Sequence, residues 1–80
     1  MTVFPNPVAG DLNLFFTNNQ PNQPVVISIF TLDGKLVKQA KQRTAAEITW
    51  KVNVSDLPSS NYLVKIEGEF FSFSEQFVKI

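Results

Sequence analysis

Eighty residues carrying seven basic and seven acidic side chains, for a formal net charge of zero, describe one small domain whose core is only just large enough to outweigh chain entropy. Neither Cys nor His occurs, which removes disulfides, thiolate nucleophiles, zinc–cysteine sites and the commonest general base at neutral pH. The charges are scattered singly, with no stripe to hold phosphates or an anionic membrane, and no apolar run approaches the roughly 20 residues of a membrane-spanning helix. The composition therefore speaks against catalysis, nucleic acid and membrane insertion, and it asks for no cofactor and no metal.

Phe4-Pro5-Asn6-Pro7 cannot be central strand or helix, because two prolines remove donors and restrict the residues before them; it reads as an extended edge entry. The opening residues lack the charged start and apolar middle of a signal peptide, so further chain is expected upstream of Met1. Val8 to Asp11 turns the chain into a first full strand, where Leu12, Leu14 and Phe16 alternate with Asn13, Phe15 and Thr17. Asn18 to Pro24 is a polar loop.

Val25 to Val37 then reads as a β-hairpin closed by Asp33-Gly34, among the strongest short-range hairpin signals a sequence offers. A type I turn at Leu32-Asp33 with Gly34 left-handed would pair Thr31 with Lys35 and Ile29 with Val37, burying Val25, Ile27, Ile29 and Val37 together. A plain two-residue turn would set Phe30 opposite Val37 instead, and a one-residue slip exchanges the faces of a strand. The first register is preferred. Past Val37 the alternation fades, as at an edge, and Gln42 to Ala46 reads as a second polar connection.

Ile48, Trp50, Val52 and Val54 share one face and Glu47, Thr49, Lys51 and Asn53 the other, a period of two that no helix accommodates. Ser55 to Asn61 is a turn, with one helical turn capped by Ser55 as an option and Leu57 tucked beneath. Tyr62, Val64 and Ile66 alternate next. Gly68 marks a reversal, and Phe71, Phe73 and Phe77 lie on one face of a last strand. Phe70 is left toward the other side, where it can join Phe15, Val78 or Phe30 in an exposed patch.

Six to seven short strands, turn signals at roughly 8–12 residue intervals and no crossover helix give an all-β fold, an antiparallel immunoglobulin-like β-sandwich of about seven short strands. Eight Phe with Trp50 and Tyr62 let a short chain bury more apolar area per residue.

Four pieces, Phe4-Pro5-Asn6-Pro7, the hairpin Val25 to Val37, Leu57 to Ile66, and the closing Phe77-Val78-Lys79-Ile80, together resemble the type A C-terminal sorting domain of the type IX secretion system, the Por secretion tail. Relative to the family's usual pattern, Ser60-Asn61 stands where Gly precedes the aromatic, Thr31 where Asp is usual, and Glu75-Gln76 where a Lys precedes the ending. The resemblance implies a single sandwich over residues 1–80, following cargo domains and acting as a non-catalytic export signal. Its implied partners are an outer-membrane translocon and a sortase-like protease. The implied location is the periplasm in transit, then the cell surface or the medium.

On that resemblance the candidate recognition residues are Pro58, Asn61, Tyr62, Phe77, Val78 and Lys79, with Asp33 and Gly34 as turn residues. Plainer readings stand beside them: Leu57 to Tyr62 as an ordinary connection packed inward, and Lys79 as a solubilising lysine on an edge strand. Trp50 could stack a sugar, but its in-phase neighbours place it in the core. Isolated carboxylates show no calcium-loop or glycosidase spacing. The rival functions are an accessory carbohydrate- or protein-binding module, a spacer of fibronectin type III kind and, last, an enzyme. Unpaired edges leave a weak homodimer open.

Overall fold

The computed structural model describes residues 1–17, 22–44 and 47–80, with the backbone alone for residues 47 and 48. Its described residues form seven strands: β1 Thr2–Phe4, β2 Asp11–Thr17, β3 Pro24–Thr31, β4 Leu36–Arg43, β5 Glu47–Asn53, β6 Ser60–Glu67 and β7 Ser72–Lys79. They make a three-stranded sheet, β1-β2-β5, and a four-stranded sheet, β4-β3-β6-β7, with antiparallel pairing throughout the ladders. This is the expected all-β sandwich. The expected loops at Asn18 to Pro24 and Gln42 to Ala46 fall partly outside the described residues, as does the side chain of Ile48.

Period-two burial builds the core from both sheets. Leu12, Leu14 and Phe16 of β2 and Trp50 of β5 meet Val25, Ile27 and Ile29 of β3, Tyr62, Val64 and Ile66 of β6 and Phe77 of β7, with Val8 and Val54 closing one end. Each large apolar side chain so buried contributes about 1.5–3 kcal/mol relative to exposure. Trp50 is 6% exposed, which leaves its ring no face for a sugar.

The hairpin turn forms as preferred. The Thr31 N–H donates to the Lys35 carbonyl at 2.8 Å, the Gly34 N–H to the Thr31 carbonyl at 2.9 Å, and Gly34 takes a φ of 95°, a conformation open to Gly because it lacks Cβ. The expected Ile29–Val37 pair does not form. A β-bulge sets Phe30 opposite Leu36 but Ile29 opposite Lys38, so Val37 has no opposite residue and sits half-buried at the core margin. Downstream of the bulge, Lys38, Ala40 and Gln42 oppose Ile29, Ile27 and Val25. The polar positions therefore reach the rim of the core, which is why alternation fades. Gln42 and Arg43 belong to β4, paired with Val25 and Pro24, because backbone pairing to β3 continues where the side-chain pattern has stopped.

Two further expectations change. The turn after β5 has no helical turn: the Asn53 carboxamide oxygen accepts from the Ser55 N–H at 3.1 Å and from its hydroxyl at 2.6 Å. The Leu57 N–H closes the turn on the Val54 carbonyl at 3.0 Å, and Leu57 packs against the core as expected. At the chain end Phe71 precedes β7, held by the Gly68 N–H on its carbonyl at 2.9 Å. Phe73 and Phe77 share the inward face of β7 as expected, opposite Ile66 and Tyr62, while Phe71 and Phe73 gather on Phe16, with centroids 5.3 and 5.5 Å away. Phe70, 81% exposed, joins no patch with Phe30 or Val78, because it lies beyond Glu67 while these two flank Leu63 and Asn61.

Candidate recognition surface

The register of β6 and β7 places Ser60 opposite Lys79, Asn61 opposite Val78 and Tyr62 opposite Phe77, and Thr31 of β3 lies opposite Tyr62 on its other side. The hairpin turn with Asp33 and Gly34, the loop with Pro58, and the end of the last strand thus share one end of the four-stranded sheet. All the residues singled out from the sequence come together there.

They separate into two groups by burial. Tyr62 and Phe77 are 3% and 1% exposed and stack at 5.6 Å. The Tyr62 hydroxyl donates to the Pro58 carbonyl at 2.6 Å, so a core ring holds the loop above it. Burying that hydroxyl unpaired would cost about 1–3 kcal/mol; the bond removes the cost and fixes the loop in one step. Pro58, Asn61 and Val78 are exposed. Lys79 is not the solvent-facing edge lysine of the plainer reading: it is 7% exposed, and its ammonium donates to the Ile80 carbonyl at 2.7 Å. Parity explains this, since residues two apart share a face and Phe77 points inward.

The end of the outer edge of β7 is closed by Asn6, from the expected entry segment, and by Val8, from the expected turn after it. The Val8 N–H donates to the Val78 carbonyl at 2.8 Å and the Ile80 N–H to the Val8 carbonyl at 2.9 Å. The Asn6 side-chain oxygen accepts from the Val78 N–H at 2.9 Å. Asn6 lies between two prolines that have no N–H to offer, and that was the only local hint of a side chain left to serve another strand. Lys38 of β4 and Asp56 of the connection between β5 and β6 pair at 3.2 Å. The Lys38 hydrogen bond, then a backbone N–H and, at longer range, Lys79 hold the Asp56 carboxyl below its ordinary value.

Apolar side chains cross the outward face at the same end. Leu36 opposes Phe30, Phe30 opposes Leu63, and Val78 lies diagonal to Leu63. Leu36 and Val78 are 46% and 37% exposed, and Leu32 and Ile80 extend the row at 56% and 61%. Contiguous exposed apolar surface rimmed by polar groups is what protein partners cover. Among the described residues no group of three or more His, Cys, Asp or Glu could hold a metal, and no helix is long and apolar enough to cross a membrane.

A family model described as a secretion system C-terminal sorting domain matches residues 2–80. None of the curated proteins matches the chain.

Proposed function

Since the chain belongs to the secretion system C-terminal sorting domains, the sorting signals of type IX secretion, we propose that its reading surface is the shared end of β3, β6 and β7. The family directs an attached N-terminal cargo to the cell surface or the extracellular space; it is a sorting signal and not a known catalyst. In our reading, residues 1–80 act as one unit. Pro58, Asn61 and Val78, with the row Leu36, Phe30 and Leu63, touch an outer-membrane translocon. Tyr62, Phe77 and Lys79 hold them in place from below, and Asp33 and Gly34 set the neighbouring turn. A sortase-like protease then acts on the chain between cargo and domain.

The observation that supports this most is the gathering of exposed apolar side chains at the one end where a stacked Tyr–Phe pair and the Asn6–Val8 cap fix the last strand. Preorganised surface binds at lower ordering cost. The test is a reporter fused ahead of the full chain in a bacterium with this secretion system. Leu63→Asp together with Asn61→Ala should leave circular dichroism unchanged and cut the secreted fraction roughly tenfold, the loss expected when a packed contact worth about 1.4 kcal/mol is removed. Unaltered secretion would refute the assignment.

A further inference from the structure

The charges that cancel over the whole chain do not cancel along β4 and the residue before it. Lys35, Lys38, Lys41 and Arg43 are four of the seven cations, and no Asp or Glu occurs from Gly34 to Ala46. Lys38 is committed to Asp56. Lys35, Lys41 and Arg43 are exposed and form no ion pair among the described residues; Arg43 donates to neutral oxygens of Asn22, the carbonyl at 3.0 Å and the side-chain oxygen at 3.5 Å.

The same strand is the longest open edge of the sandwich. β1 has three residues, β7 is capped by Asn6 and Val8, and β5 carries both signs, Glu47 and Lys51. β4 spans eight residues, about 27 Å of strand at ~3.4 Å per residue, and pairs only with β3 among the described residues. Its outward backbone groups are a template for another strand, and lysines on such an edge ordinarily deter pairing between copies. That deterrent has a sign. Like charges set opposite each other across two strands repel, and opposite charges attract, so the edge that refuses a second β4 favours an anionic strand.

We propose that the open edge of β4 docks an extended, acidic segment of a partner polypeptide by strand addition, its carboxylates set against Lys35, Lys41 and Arg43. Main-chain hydrogen bonds then supply the attachment and the cations select the occupant. This surface is the backbone edge of β4 and meets the sorting surface only at Leu36, the first residue of the strand, and the proposal does not depend on that reading.

The test titrates the isotope-labelled full chain with a capped nonapeptide alternating Glu and Thr, beside its Lys–Thr counterpart. The acidic peptide alone should shift the amides of Leu36 to Arg43 and slow their hydrogen exchange. Its affinity should fall about tenfold as salt rises to roughly 0.5 M, where screening acts within a few ångströms. Lys41→Glu with Arg43→Glu, both exposed, should abolish binding while circular dichroism stays unchanged. The proposal is overturned by equal binding of the Lys peptide, by no shift at millimolar peptide, or by shifts elsewhere. It is equally overturned if side-chain signals move without amide protection, as inorganic phosphate would produce, or if β4 pairs with a second copy. Secretion of the reporter is a separate readout, so failure here leaves the sorting assignment standing.

Discussion

The two edges of the four-stranded sheet are built on opposite plans. β7 is closed at its end: the Val78 and Ile80 backbone groups are taken by Asn6 and Val8, and Phe77 stacks on Tyr62 beneath it. β4 is open: beyond the bulge at Val37 its side chains ride over the core margin, and its only pairing among the described residues is to β3. A strand anchored on three sides presents fixed side chains and suits recognition of shape, whereas a strand with free backbone groups suits addition of another strand.

The largest effect expected from breaking this contrast comes at Phe77, which is 1% exposed. Phe77→Ala should cost about 3–5 kcal/mol, a large part of the roughly 5–15 kcal/mol that holds a domain together, and urea denaturation will read it as a collapse of the midpoint. Gly68→Ala comes next. A Cβ there would meet the Phe71 ring at 2.5 Å, so the ring must leave its place on Phe16, at about 1–3 kcal/mol; a lower thermal midpoint with altered aromatic circular dichroism checks it. Asn6→Ala sharpens the comparison most locally. Losing one hydrogen bond to the Val78 N–H should cost about 0.5–1.5 kcal/mol, and hydrogen exchange should quicken at Val78 while the β4 amides are unchanged.

The smallest effect lies at Asp56, whose carboxyl is lowered chiefly by Lys38. A carboxyl lowered on folding contributes stability above its ordinary value of 3.8, and that contribution is lost as pH falls through the folded value. Asp56→Asn should therefore change the urea midpoint slightly at neutral pH and progressively less as pH falls below 3.8, a trend that a series of titrations from pH 7 into acid will show.

How much of this was legible follows the same division. Strands with one buried face declare themselves: Leu12, Leu14 and Phe16, or Tyr62, Val64 and Ile66, alternate because water and core alternate. The turn at Asp33-Gly34 was readable because few residues tolerate its conformation. The bulge was not, since Val37 carries no local mark of having lost its opposite residue. Nor were the cap by Asn6, 72 positions from Val78, and the burial of Lys79, because both depend on which strands meet at the sheet edge. The basic character of β4 was hidden by summing charge over the chain rather than along one edge. The candidate residues from Pro58 to Lys79 were gathered by resemblance, and it is the β6–β7 register that separates those able to touch a partner from those that support them.

Secretion of one reporter with two variants sets the edges directly against each other: Val78→Asp on the closed edge, and Lys41→Glu with Arg43→Glu on the open one. The account predicts that Val78→Asp holds the reporter inside the cell while the β4 variant is exported at the unmodified level. Export of Val78→Asp at the unmodified level, with the β4 variant retained, would contradict it.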